Sequence, residues 1–451
     1  MLGLADYTEN VAEAVDTMKR VALFSPPSPF LVSDRSFPFL GILWVAAALR
    51  RGGVSVEVLD LSGQQDYLSQ ARQWAEARSP EAYSLVGITA TTAQFPLALR
   101  LLWGLKQENP SWRVGIGGAH ATVSPQSCSD FDVVVSGDGM SGVLQALTTQ
   151  DRYITGVITD MGTWPLPARD LIDLGSYQAS LDGERCTSVM WSTGCPYHCA
   201  FCSGRFLDIY RKQRRRPIPH IMQELDHLHE TYGLRAFWAF DDEVNIHTRW
   251  LLDLCQALTG KGYIWRAFVK AEIFTQEQAQ AMKAAGCVEV GCGVESGSAR
   301  SLQVIGKRAT PDDNSRARRI AQETGIRFKA FCMIGLPGET EADFLATKEW
   351  LRRNSPDDFD LGVFTPYPGS PIYEARYGSS WQGEAHYDIE FPEADLTQAT
   401  FYKGRPGEYR ALQRLPTISP EGIVDWREII DREVRAELGI GWKAAGQEMK
   451  S

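Results

Sequence analysis

The sequence predicts an α/β protein made of two parallel sheets in series. The second is a partial (β/α)6 barrel of the TIM type, and a small, mostly helical extension follows it. Three observations predict this. Short apolar runs alternate with helical periodicity between residues 20 and 150. The same alternation starts again at residue 186 and gives six further strands, each but the last followed by a helix. Between the two series lies a stretch with the run Trp164-Pro165-Leu166-Pro167, which reads as a connector. The expected domains are therefore 1–150, a linker 151–185, a barrel 186–384 and an extension 385–451.

Residues 1–18 read as a helical lead-in. Strands are expected at 21–25, 54–60, 85–90, 113–118 and 132–137. Each is an apolar run closed by Pro, Gly, Ser, Thr or Asp. Helices are expected at 39–51, 67–77, 96–107 and near 142–148. Gly52-Gly53 stop the first of them. Ligands of such sheets sit outside the carboxyl ends of the strands. Those ends include Thr89-Ala90-Thr91-Thr92, Gly117-Gly118-Ala119-His120 and Gly137-Asp138-Gly139. Small residues there let a large ligand approach. Each turn taken alone is equally an ordinary tight turn.

The second series opens with Cys186-Thr187-Ser188-Val189 and runs into the loop Gly194-Cys195-Pro196-Tyr197-His198-Cys199-Ala200-Phe201-Cys202. Three cysteines in a Cys-x3-Cys-x2-Cys spacing select a soft metal or an iron–sulfur cluster. Three thiolates can hold three irons of a [4Fe–4S] cube and leave the fourth open to a ligand. A zinc site completed by His198, or a set of free thiols, are the alternatives. Later strands are expected at 236–240, 265–270, 288–294, 327–333 and 359–365, and a helix over 420–438 with Ser419 as its N-cap. The basic run Arg211 to Arg216 reads as a solvated or carboxylate-paired face.

The cysteine loop resembles the cluster loop of the radical S-adenosylmethionine superfamily. That resemblance makes Cys195, Cys199 and Cys202 the metal ligands. It implies that S-adenosylmethionine chelates the open iron and is cleaved to a 5′-deoxyadenosyl radical. Glu243, at the end of the second barrel strand, would then receive the cofactor's amino group. Glu295 and Ser296 would meet its ribose, Lys307 its carboxylate, and the Gly335-Leu336-Pro337 segment its adenine. For Glu243 and Glu295 a capping role is the plain alternative, and for Lys307 a solvated lysine.

The first sheet resembles the Rossmann-like (flavodoxin-like) cobalamin-binding domain that precedes the barrel in one branch of that superfamily. Thr89, Gly117, Gly118, His120 and Gly137 carry the likeness and would line the cofactor. The Asp-x-His-x-x-Gly motif that gives cobalt an axial histidine elsewhere is absent, so His120 is not assigned as a cobalt ligand. The resemblance implies a cobalamin-dependent methyltransferase that acts on an unactivated carbon through methylcobalamin. The alternatives are a radical enzyme for cyclisation, ring contraction or oxidation, with or without cobalamin, and a cluster protein for electron transfer. Polar residues at the barrel-strand ends speak against a mere electron carrier.

Composition limits the partners. The net charge of −10 argues against nucleic acid. A tRNA methylthiotransferase is disfavoured by the lack of a basic tail and of clustered cysteines in the first domain. No apolar window reaches a membrane span, and the start has no signal pattern, so a cytoplasmic protein is expected. The expected partners are a small-molecule substrate and an electron donor such as flavodoxin or ferredoxin. The six remaining cysteines read as buried thiols.

Overall fold

The computed structural model describes residues 4, 20–28, 31, 33–204, 206–377 and 407–441. The expected lead-in helix lies outside them, apart from Leu4. The first compact unit runs to Gln178 and the second begins at Ala179.

The first unit is one parallel sheet. Its strands are β1 (Arg20–Ser25), β2 (Ser55–Asp60), β3 (Tyr83–Thr89), β4 (Val114–Gly117), β5 (Val133–Gly137) and β6 (Tyr153–Gly156), in the order β2-β1-β3-β4-β5-β6. Helices α1 (Leu40–Arg51), α2 (Tyr67–Glu76), α3 (Phe95–Glu108), α4 (Ala119–Val123) and α5 (Gly139–Ala146) connect them. Strand order reverses between β1 and β3, which is the switch point where such sheets take ligands. Tryptophans thicken one face: Trp74 stands edge-on to Phe24 at 5.0 Å and lies 5.2 Å from Trp112.

Strand β6 lies in the stretch read from the sequence as a connector. It pairs with β5, setting Ile154 beside Val135. Beyond it, the buried Asp138 carboxylate accepts from Thr159 N at 3.0 Å and Thr159 Oγ1 at 2.7 Å. Trp164 lies 5.2 Å from Trp44 of α1, and Arg50 pairs with Asp170 at 2.7 Å. The proline-rich run is thus bonded into the first unit.

The second unit is a curled sheet in the order β15-β14-β13-β12-β11-β8-β7. Six strands are parallel: β8 (Glu184–Val189), β11 (Ala236–Ala239), β12 (Ile264–Phe268), β13 (Cys287–Glu295), β14 (Arg327–Ile334) and β15 (Asp358–Val363). The short β7 (Ser180–Leu181) is antiparallel to β8. Strand β14 shows why the faces differ. Phe328, Ala330, Cys332 and Ile334 are buried, and Arg327, Lys329, Phe331 and Met333 alternate with them, half-buried. A two-residue ribbon of β9 (Ser192–Thr193) and β10 (Arg214–Arg215) brackets the cysteine loop.

The helices of this unit are α6 (Asp208–Arg211), α7 (Ile218–Tyr232), α8 (Thr248–Leu258), α9 (Gln276–Ala284), α10 (Ala299–Val304), α11 (Pro311–Thr324), α12 (Glu341–Asn354), α13 (Pro371–Tyr377) and α14 (Pro420–Leu438). Capping boxes start α9, α11 and α12 at Thr275, Thr310 and Thr340. Ser419 caps α14, as the sequence predicts, by accepting from Gly422 N. Helix α14 covers the edge strand β15. Arg427 Nε donates to the Leu361 carbonyl at 2.9 Å, and Arg435 donates to the Phe359 carbonyl and pairs with Asp358 at 3.3 Å. Among the described residues no helix is long and apolar enough to cross a membrane.

Candidate cluster and cofactor site

Carboxylates at the end of β11 hold the backbone that leads into the cysteine loop. Asp241, 2 % exposed, accepts from Trp191 N at 2.8 Å and Ser192 Oγ at 2.6 Å. Asp242 accepts from Gly194 N at 2.6 Å. Gly194 itself has φ +90°, and a Cβ there would lie 2.3 Å from the Lys212 carbonyl. The loop is then pinned at Cys195 N to the Tyr210 carbonyl and at Ala200 N to the Ile305 carbonyl, both at 2.7 Å. Ala200 sits in a small apolar cluster with Leu302, Ile305, Leu336, Phe364 and Ile372, and Phe201 packs on it.

All three loop cysteines are free thiols, with Cys195 and Cys199 half-buried and Cys202 exposed. Burial pushes the Cys195 thiol up to about 12 and raises that of Cys199. Lys307 and Lys270 act on Cys199 in the opposite direction. The His198 ring is engaged elsewhere: its Nε2 lies 3.1 Å from Arg211 Nη2. Among the described residues no three His, Cys, Asp or Glu side chains form a single-ion site.

Glu243 closes the same end of the sheet. Its Oε2 is buried and has no hydrogen-bond partner. Burial pushes this carboxyl up to about 7, while Lys307 and Lys270 pull it down. A buried carboxylate oxygen without a partner fits an incoming ammonium group. These features fit a cluster held by Cys195, Cys199 and Cys202 with S-adenosylmethionine bound beside it.

Glu295 ends β13 in the left-handed region at φ +62°, next to a register shift between Gly293 and Glu295. Such strain in a non-glycine residue collects at functional sites. Its Oε1 pairs with Lys307 Nζ at 2.8 Å, with side chains 10 % and 5 % exposed. Lys307 also donates to the Gly293 carbonyl. Burial alone would lower the Lys307 ammonium, but Glu295 raises it above its ordinary value.

Ser296 lies beside Glu295, but its hydroxyl is turned toward α12, 3.0 Å from Thr347 Oγ1. Gly335 N and Leu336 N both donate to Glu339 Oε2 at 2.9 Å, which folds the loop around Pro337. Gln413 Nε2 donates to the Gly335 carbonyl at 3.2 Å.

One neighbour, Lys270, carries no motif in the sequence. Lys270 follows β12, is 3 % exposed and lies over the Tyr197 ring at 3.9 Å. Tyr197 stands between the first two cysteines. The signal available was a cation two residues past a strand end, on the side where cofactors bind.

In the first unit, Thr89, Gly117, Gly118 and Gly137 stand at the carboxyl ends of β3, β4 and β5. Gly118 has φ +94°, and a Cβ there would lie 2.8 Å from Thr89 Oγ1. Gln94 spans the switch point, donating to the Pro26 carbonyl at 3.1 Å and Ser28 Oγ at 2.8 Å. His120 is the sole histidine of residues 1–178. It is 4 % exposed, stacked on Phe95 at 4.0 Å, with Nδ1 at 3.2 Å from Thr92 Oγ1 and Nε2 at 2.9 Å from Ser127 Oγ. Both ring nitrogens are occupied, and burial pushes the imidazole down to about 4. The small-residue turns, with Gly118 exposed, fit a cobalamin that takes no histidine from this unit.

Comparison with known proteins accords with this geometry. The profile of the radical SAM superfamily matches residues 189–351, and that of the B12 binding domain matches residues 32–147. An uncharacterized methyltransferase of Pyrococcus horikoshii is 28 % identical over 94 % of this chain and 99 % of its own length. An anaerobic magnesium-protoporphyrin IX monomethyl ester cyclase of Rubrivivax gelatinosus is 25 % identical over 75 % of this chain and 66 % of its own. The fold is shared with the radical S-adenosylmethionine methyltransferase TsrM from Kitasatospora setae, whose structure holds cobalamin and a [4Fe–4S] cluster. There the TM-score is 0.69 at 16 % identity, covering 92 % of this chain and 91 % of that one.

Proposed function

We propose that this chain, which belongs to the cobalamin-dependent radical S-adenosylmethionine enzymes, methylates an unactivated carbon of a small molecule. The observation that carries the reading is the three-thiol loop beside the buried, unpartnered Glu243 carboxylate. When bound, the cluster, S-adenosylmethionine and cobalamin supply the radical and the methyl group.

The chain's own residues position and shield. Cys195, Cys199 and Cys202 hold three irons, and Asp241 and Asp242 fix the loop that carries them. Glu243 would receive the amino group of S-adenosylmethionine, and Glu295, held by Lys307, would meet its ribose hydroxyls. The loop of Gly335 and Pro337, braced by Glu339 and Gln413, would carry adenine on its backbone. Thr89, Gly117, Gly118 and Gly137 would border a cobalamin, and His120 braces that end of the sheet through Thr92 and Ser127. The substrate is a small molecule, and a flavodoxin or ferredoxin delivers the electron.

The kinship with a cyclase favours one second reading, radical chemistry without methyl transfer. Anaerobic reconstitution with iron, sulfide and hydroxocobalamin tests the methyl-transfer reading. Methyl transfer requires about four irons and about one cobalt per chain after desalting. Iron without cobalt would overturn it and leave the second reading. Loss of iron in Cys199→Ala checks the loop itself.

A further inference from the structure

We infer that Lys270, seated on the ring of Tyr197, is a fixed charge that raises the reduction potential of the cluster in the cysteine loop. The inference rests on the cluster reading of that loop. It concerns a positioning residue, because Lys270 acts through the field it imposes.

The geometry is specific. Lys270 leaves β12 with its peptide clamped from both sides by Asn245. Lys270 N donates to Asn245 Oδ1 at 2.9 Å, and Asn245 Nδ2 donates to the Lys270 carbonyl at 3.1 Å. Asn245 is fully buried. The clamp sends a side chain that is itself 3 % exposed toward the loop. There the ammonium lies 3.9 Å from the centroid of Tyr197 and 3.3 Å from Glu272 Oε1. A desolvated ammonium over an aromatic face is attracted by the ring quadrupole. Arg308 approaches the same ring, with Cζ at 5.5 Å.

Tyr197 is two residues from Cys195 and two from Cys199, so the cation is held against the stretch that carries both ligands. Reduction adds an electron to a cluster already bearing three thiolates. A buried cation nearby therefore favours the reduced form, and cluster potentials respond to such local charge.

The test is an electron-paramagnetic-resonance redox titration of the full-length protein, reconstituted with iron and sulfide and without S-adenosylmethionine. Iron is counted for each variant. Lys270→Met should keep the iron and move the midpoint to a more negative potential. Glu272→Gln removes the opposing charge and should move it the other way. Tyr197→Phe keeps the ring face and should leave it in place, as should Lys270→Arg. A wild-type midpoint in Lys270→Met with full iron content overturns the inference. So does a variant whose midpoint holds while its affinity for S-adenosylmethionine falls, because Lys270 would then be a ligand contact. If Lys270→Met assembles no cluster, Glu272→Gln decides alone, and an unmoved midpoint there overturns it. Absence of iron from the wild-type protein would defeat the cluster reading before any variant is compared.

Discussion

Lys307 reaches back across 12 residues to place its ammonium 2.8 Å from Glu295 Oε1, where the backbone of Glu295 is held at φ +62°. Both side chains are nearly dry. Removing one partner strands a buried charge, which costs about 3–5 kcal/mol. Lys307→Met should therefore unfold at lower urea and bind S-adenosylmethionine less well. The double variant Lys307→Met/Glu295→Gln should recover much of the stability but none of the binding. Urea unfolding and equilibrium dialysis check the two halves.

Asp241→Ala should lose iron. The substitution leaves the buried Trp191 N–H without its acceptor, at about 1–3 kcal/mol, and frees the backbone that enters the loop. The expected result is a folded protein that retains less iron after desalting than Asp241→Asn. Iron at the wild-type level in Asp241→Ala would show that the carboxylate is not what fixes the loop.

Gly194→Ala tests the same stretch from the backbone side. The left-handed φ and the nearby Lys212 carbonyl both oppose a side chain. The loop should shift, at a cost of at least about 1 kcal/mol. Iron uptake should fall while far-ultraviolet circular dichroism stays native.

His120 gives a pH dependence of known sign. Burial lowers its folded-state value to about 4 from an ordinary 6.5. The stability it contributes is whole above 6.5 and is lost as pH falls through 4, at most about 3 kcal/mol. Between pH 7 and pH 4.5 the wild type should lose more resistance to urea than His120→Gln, followed by tryptophan fluorescence. Parallel losses would refute this.

Much of this was legible in the sequence because it is local. Apolar runs closed by Gly or Pro mark the strands, and the cysteine spacing lies within eight residues. Strand β6 was not legible. It has four residues, and only pairing with β5 makes it a strand. Motif position placed Ser296 and His120 near cofactors, but it carries no information on where a side chain points. Their bonds to Thr347, and to Thr92 and Ser127, are tertiary. Lys270 carried only a weak signal for the same reason. Tyr197 and Asn245, which it meets, are distant in sequence.

The two arginines of α14 bear on a different hazard. A half-barrel, unlike a closed one, has a last strand, and its outward carbonyls invite a strand from another molecule. Here the outward carbonyls of Phe359 and Leu361 are already taken, by Arg435 and Arg427. The sheet thus remains unclosed without offering a template for self-assembly. A chain shortened before residue 419 would keep every cysteine and every barrel strand, yet it would expose a ready edge to its neighbours.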